Sequence, residues 1–212
     1  MSAERYRLGD LIERVERTNA DGRYGVEDVR GVSNTKLIQK TKANMEGRDF
    51  TPFTILNPKE FVFNRRTTRN GERLGLGFNQ DERPYIFTED YVAFRVKDEN
   101  ALLPDYLYIS FCVTSSTVMC AGIPGGSATE FFNWENMCEV RISAPPIEEQ
   151  RKVVASWQGL RKMKADNDNL KDQLATDLTT LLYTEGYPPD WDDEVFHRVL
   201  EQMENYKRHQ NQ

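Results

Sequence analysis

The stretch Arg141-Ile-Ser-Ala-Pro-Pro-Ile-Glu-Glu-Gln-Arg-Lys-Val-Val154 decides how this 212-residue chain is divided. Pro145 and Pro146 have no amide hydrogen, so they end any strand that precedes them. Glu148 and Glu149 follow at once, and acidic residues suit the positive end of a helix dipole. The pattern predicts a globular head over residues 1–144, a long helix over 145–185 and a helical tail over 186–212.

The head mixes short strand-like segments with short helical ones and shows no regular alternation of strand and helix. This pattern favours an α/β head of the α+β kind, with a mixed or antiparallel sheet, over a doubly wound parallel sheet. Residue content and spacing predict helices at Tyr6–Glu16 and Leu102–Phe111, and strands within Thr51–Phe63, at Tyr85–Phe87, at Tyr91–Val96 and at Val140 and Ile142.

Residues 147–183 carry apolar side chains at alternating spacings of three and four, which is typical of a helix that packs against another helix. Asn167 lies in the middle of this seam, between Lys164 and Lys171. Either Asn167 fixes the register of a coiled coil, or the middle of the helix is simply solvated. The seam positions are Val153, Trp157, Leu160, Asn167, Leu174, Leu178 and Leu181. Beyond Gly186 and a pair of prolines, Asp192–Arg208 predicts a second, shorter helix.

The charge is distributed unevenly along the chain. The net charge is −6, yet residues 31–80 carry nine Lys and Arg against four Asp and Glu. Residues 144–212 carry nine against thirteen. A basic segment inside an acidic chain indicates a directed patch and not a general polyanion binder.

Several kinds of chemistry find no pattern in the sequence. There is no Walker loop, HExxH motif or nucleophile elbow, and the acidic pairs at 89–90 and 98–99 do not have nuclease spacing. Cys112, Cys120 and Cys138 form no CxxC pair, so we expect free thiols, a cytoplasmic location and no metal site. No apolar run is long enough to predict a membrane span. Leu74-Gly-Leu-Gly-Phe78 is too short for a dinucleotide fingerprint and predicts a close backbone approach instead.

Donor-rich loops are the stronger functional signal. Arginine forks, asparagine amides and threonine hydroxyls bind bases and phosphates, and lysines bind phosphates. Four separate loops carry such residues, so we predict that they contact DNA. The predicted contacts are Lys36, Lys40, Lys42, Arg65, Arg66, Thr67, Thr68, Arg69, Asn70, Asn79, Gln80, Arg83, Ser127 and Thr129.

The chain resembles half of a type I restriction-modification specificity (S) subunit over residues 5 to about 183. The features that carry the resemblance are, in order, Leu8-Gly9-Asp10-Leu11, Gly31-Val-Ser-Asn-Thr-Lys36, Gly126-Ser-Ala-Thr-Glu-Phe-Phe-Asn-Trp134 and Ala144-Pro-Pro-Ile-Glu-Glu-Gln-Arg-Lys-Val-Val154. The resemblance implies that the head is a target recognition domain for one half of a split double-stranded DNA site. It also implies that the long helix is a spacer that docks methyltransferase (M) subunits.

In that family the usual subunit carries two recognition domains and two helices, whereas this chain carries one of each. A half-length chain pairs either with a second copy, through antiparallel helices, or with another S chain. The resemblance further implies a non-catalytic subunit with no cofactor of its own. S-adenosylmethionine would belong to the M subunit, and restriction (R) subunits would be indirect partners. The alternatives are a decoy that occupies the M-subunit interface without reading DNA and, third, a nuclease.

Overall fold

The computed structural model describes residues 5–33, 35–65, 74–113 and 132–184, together with positions 194, 197, 198, 201, 202 and 205 of the tail. Within the long helix, the side chains of 175, 178, 179 and 181–184 are outside the description. The chain forms two compact units, residues 1–155 and residues 156–212.

The described part of the first unit contains ten short strands, and every pair of these strands is antiparallel. The strands are β1 (Arg5–Arg7), β2 (Ile12–Val15), β3 (Arg30–Val32), β4 (Ile38–Lys40), β5 (Thr54–Leu56), β6 (Phe61–Asn64), β7 (Leu76–Phe78), β8 (Tyr85–Phe87), β9 (Tyr91–Val96) and β10 (Arg141–Ser143). The α-helices are α1 (Leu8–Leu11), α2 (Pro104–Val113), α3 (Trp134–Glu139) and α4 (Ile147–Thr184), and Val26–Asp28 forms a 3₁₀ turn. The prediction of an α+β head with an antiparallel sheet, followed by a long helix, is confirmed.

The centre of the head is a four-stranded sheet in the order β2-β9-β6-β7. Phe61 and Phe94 are paired across β6 and β9, and their rings stack at 4.9 Å on the face that packs against α2. Val62 and Ala93 point to the other face, where they pack with the β5–β8 pair. Because both faces are covered, these strands contain almost continuous apolar runs. The strands predicted at Tyr85–Phe87 and Tyr91–Val96 are confirmed.

The helix predicted over Tyr6–Glu16 is wrong. The segment forms strand β1, the single turn α1 and strand β2 instead. Ile12 and Val15 are both buried, but Ile12 packs on the α2 side of the sheet and Val15 on the opposite side. A spacing of three marks one face in a helix and two opposite faces in a strand. The pattern therefore misled because β2 belongs to a sheet that is buried on both faces.

The first and last strands of the head, β1 and β10, form an antiparallel pair. The last strand of the head was predicted at Val140 and Ile142. Ile142 lies in β10, whereas Val140 ends α3 and accepts a hydrogen bond from the Leu8 amide at 2.7 Å. Helix α3 was not predicted. Its N-cap is Asn133. The Asn136 amide donates to Asn133 Oδ1 and the Asn133 amide donates to Asn136 Oδ1, which forms a capping box.

The long helix predicted from Ile147 is confirmed as α4, Ile147–Thr184. Gln150, in its first turn, is fully buried. Its Oε1 accepts from the Leu103 amide at 2.8 Å, and its Nε2 donates to the carbonyl oxygens of Ala101 at 2.9 Å and Pro145 at 2.8 Å. One side chain thus fastens the start of α4 to the segment that precedes α2.

The described positions of the tail are helical, in agreement with the shorter helix predicted over Asp192–Arg208. The rest of that segment lies outside the described residues. Two further segments also lie outside the described residues: Asn70-Gly71, a dipeptide typical of a hairpin turn, and the glycine- and proline-containing stretch 122–127, which is typical of a loop.

Candidate nucleic-acid interface

Two of the segments that carry predicted DNA contacts are flanked by residues that contact each other. Arg65 is the last described residue before segment 66–73, and Phe132 is the first described residue after segment 114–131. The Phe132 amide donates to the Arg65 carbonyl oxygen at 2.7 Å, and the rings of Phe63 and Phe132 meet edge to face at 5.7 Å. The fold therefore joins the start of the arginine-rich segment to the end of the segment that contains Ser127 and Thr129.

The β3–β4 hairpin is attached at this same end of the sheet. Tyr91 is paired with Asn64, and its hydroxyl accepts from the Val32 amide at 3.4 Å. At the hairpin turn, Lys36 has a φ of 63°, and its carbonyl oxygen accepts from the Tyr108 hydroxyl at 3.2 Å. The hairpin is thus fixed from β9 and from α2, and Lys36 lies in a defined turn.

Gly77 allows the hairpin to lie against the central sheet. A Cβ atom at this position would be 2.8 Å from Ile38 Cγ1 and 3.0 Å from Val32 Cγ2, closer than side chains pack. The close backbone approach predicted for the Leu74–Phe78 stretch is confirmed at this glycine. Lys40 and Lys42 are exposed on the same hairpin and the segment after it, and Lys40 lies 3.8 Å from the Glu27 carboxylate.

The turn over residues 79–83 lies at the opposite end of the β6–β7 pair, because Lys59 and Asn79 are bonded there while Asn64 and Gly75 are bonded at the other end. Asn79 is 1% exposed, and its amide donates to the carbonyl oxygens of Leu56 and Arg83. This side chain stabilises the turn inside the fold, so the structure does not support the prediction that Asn79 contacts DNA.

Gln80 and Arg83 in this turn are exposed. The Arg83 guanidinium lies 5.0 Å from the centre of the Tyr85 ring and donates to its hydroxyl, and this hydrogen bond raises the pKa of Arg83. Arg30, which the sequence did not single out, covers the same ring at 4.4 Å and donates to the backbone carbonyl oxygens of Glu27 and Val29. The structure thus separates Arg83 from the Arg65 end and holds it in an aromatic contact.

The remaining predicted contacts cannot be placed, because they lie outside the described residues. They are Arg66, Thr67, Thr68, Arg69, Asn70, Ser127 and Thr129.

Helix α4 presents a mainly apolar stripe to solvent. Val153 is 40% exposed, Leu160 64% and Leu174 68%. The predicted seam placed lysines in the middle of the helix, but Met163 and Leu170, exposed by 70% and 64%, fall on the same stripe. Because each residue turns the helix by about 100°, these five residues and Asn167 lie within an arc of about 100° around the helix axis. Ser156, Asn167 and Lys171 fall within the same arc, so the stripe is mainly apolar but is interrupted by polar side chains. Trp157 is half-buried, and the side chains of Leu178 and Leu181 are outside the description.

Within the described residues, no group of three or more His, Cys, Asp or Glu side chains is placed to hold a metal ion. Cys112 and Cys138 are both in the thiol form, and partial burial is the main cause that raises the pKa of Cys138. No described helix combines the length and apolarity that crossing a membrane requires.

Comparison with known proteins gives the family. Residues 3–175 match the model of the type I restriction modification DNA specificity domain, so the chain belongs to that family. No curated protein sequence matches the chain.

Two solved structures share the fold. The HsdS subunit from Thermoanaerobacter tengcongensis is 17% identical, with a TM-score of 0.54 over 89% of this chain and 50% of that one. A chain from a study of complex assembly and conformational transition in the type I R-M system is 14% identical, with a TM-score of 0.52 over 84% and 43%. This chain therefore spans about half the length of the structures it matches.

Proposed function

We propose that the chain is the non-catalytic DNA-recognition subunit of a type I restriction-modification system and that its head reads one half of a bipartite site in double-stranded DNA. It would act in the cytoplasm with M subunits, which bind S-adenosylmethionine and carry out methylation, and indirectly with R subunits. Membership of the DNA specificity domain family supports this role.

The hydrogen bond between Phe132 and Arg65 carries the proposal for the head. It joins the ends of two segments that are rich in arginine, threonine and serine. The β3–β4 hairpin, with Lys36 at its turn, is anchored at the same end of the sheet. Arginine and lysine side chains bring the phosphate affinity, and mixed amide, hydroxyl and guanidinium donors suit base edges in the major groove. We therefore propose that this end of the head faces DNA.

The exposed stripe of α4 supports a role in assembly. Four large apolar side chains, at Leu160, Met163, Leu170 and Leu174, are each at least 64% exposed. An apolar stripe of this length requires a partner helix. We propose that the partner is α4 of a second copy, in antiparallel orientation, or the equivalent helix of another S chain. Two heads joined in this way would read a split site.

The proposal is tested by mixing the purified chain with its M subunit and selecting bound duplexes from a random DNA library. We expect enrichment of a short motif interrupted by a spacer. Substitution of Arg66 and Arg69 together by alanine should lower specific affinity at least tenfold, about 1.4 kcal/mol, while the head remains folded by circular dichroism. A matched control is the double substitution of Arg14 and Arg23, exposed cations of the head that are not among the predicted DNA contacts, which should leave the motif and the affinity for it unchanged.

Two other outcomes would overturn the proposal. If the chain binds the M subunit but the complex enriches no sequence and methylates no DNA, the chain is a decoy that occupies the M-subunit interface. If the chain alone cuts DNA in the presence of Mg²⁺, it is a nuclease.

A further inference from the structure

We propose that Arg65 is a positioning residue, which holds the junction of the two donor-rich segments, and that its guanidinium does not contact DNA. The inference rests on the proposed function and deepens it, because it separates the residue that places the reading segments from residues that read.

Arg65 contacts other parts of the head through its amide, its carbonyl oxygen and its guanidinium. Its amide donates to the Asp90 carbonyl oxygen at 3.1 Å, and its own carbonyl oxygen accepts from Phe132 at 2.7 Å. Its guanidinium Nη2 donates to the Glu89 carbonyl oxygen at 3.1 Å, and Nε lies 3.4 Å from the Asp90 carbonyl oxygen. The backbone and the side chain of Arg65 therefore bind the same β8–β9 turn while its carbonyl binds the entry to α3.

The surroundings of this guanidinium do not suit an anion. The Glu89 carboxylate belongs to the turn that Arg65 binds and is itself paired with Arg48 at 3.6 Å. If the Arg65 guanidinium turned outward to a phosphate, it would lose its charge-assisted hydrogen bond to the Glu89 backbone carbonyl oxygen. That oxygen would then lose this donor. Arg65 is also half-buried, whereas Lys40 and Lys42 are exposed.

The planar guanidinium is needed because two of its nitrogens approach neighbouring carbonyl oxygens. A lysine at position 65 keeps the positive charge but offers a single ammonium group on a flexible stem. The substitution Arg65→Lys therefore separates the two roles. A phosphate contact would survive it in large part, whereas the clamp on the β8–β9 turn would be lost.

The test uses the complex of the full chain with its M subunit. We expect Arg65→Lys to lower affinity for the selected motif roughly tenfold, the change expected for one charge-assisted hydrogen bond, with little change in non-specific affinity. The slope of log affinity against log salt concentration should stay at the parent value. A residue that only stabilised the fold would not change the ratio of specific to non-specific binding well below the unfolding temperature. Arg14→Lys, at an exposed position of β2, is the matched control.

Two results together would assign a phosphate contact to Arg65 and overturn the proposal. Arg65→Lys would keep full affinity for the motif, and Arg65→Ala would lower the magnitude of the slope of log affinity against log salt concentration by about 0.9. A second measurement does not depend on DNA. Hydrogen exchange at the Phe132 amide of the chain should rise roughly tenfold in Arg65→Lys, and unchanged protection would refute the clamp. If the unsubstituted complex shows no sequence preference, the proposed function fails, while the exchange measurement still decides whether Arg65 holds the junction.

Discussion

Replacement of Gln150 by alanine should loosen the start of α4 from the head. Gln150 is fully buried and makes three hydrogen bonds of 2.8–2.9 Å, all to backbone groups. Alanine is the best helix former, so α4 itself keeps its propensity. The loss comes from the Leu103 amide and the carbonyl oxygens of Ala101 and Pro145, which would lose their partner.

The expected cost follows from these three bonds. A net contribution of about 1 kcal/mol for each gives about 3 kcal/mol. For a unit of this size, that corresponds to a fall of roughly 6–12 °C in the melting temperature. Thermal unfolding of the full chain measures the shift, and hydrogen exchange at the Leu103 amide reports the lost bond directly.

Gln158 provides the matched control, because it is an exposed glutamine on the same helix. Gln158→Ala should change stability by no more than about 0.5 kcal/mol. If Gln150→Ala is as mild as Gln158→Ala and exchange at Leu103 is unchanged, the fastening inferred for Gln150 is refuted.

Three further predictions concern other parts of the chain. Gly9→Ala would place a Cβ 2.7 Å from the nearest atom of α3 and should destabilise the head by about 1–3 kcal/mol in urea unfolding, whereas Gly25→Ala, with open space around it, should not. Substitution of Leu160 and Leu174 by glutamate should convert a self-associated chain to monomer in sedimentation, and unchanged sedimentation would remove the paired-helix model. The pKa of Asp49 is lowered, chiefly by a hydrogen bond from the Thr51 backbone amide. The ionised carboxylate therefore stabilises the fold at pH values above the ordinary carboxyl pKa of about 4. This contribution is lost as the pH falls through the lowered pKa. Asp49→Asn should therefore reduce the melting temperature at pH 7 but match the parent in strong acid, and equal melting at both pH values would refute this assignment.

The elements that the sequence predicted well are those with a local signature. Tyr91–Val96 is rich in β-branched and aromatic residues, and Pro145-Pro146 followed by two glutamates marks the start of α4. Strand β2 was missed because Ile12 and Val15 are buried on opposite faces of the sheet, so their spacing of three resembles that of a helix. Helix α3 was missed because it is short and polar, although Asn133 and Asn136 were a readable capping signal.

The site was harder to predict because its important contacts join distant residues. Gln150 acts on Ala101 and Leu103, nearly fifty positions earlier, and no local pattern reveals such a bond. Asn79 and Arg65 have the residue types of DNA readers, yet their side chains bind backbone groups of the head itself. Residue type indicates which chemistry a side chain offers, and only the fold determines whether another part of the chain already uses it.

The most direct measurement of the central claim is a map of DNA methylation in cells that express this chain with its M subunit. A homodimer that reads one half-site with each head predicts one palindromic motif, split by a spacer of constant length, methylated in both halves. A split but asymmetric motif would indicate pairing with a different S chain. Methylation that follows no motif, or that is unchanged when the chain is removed, would contradict the account.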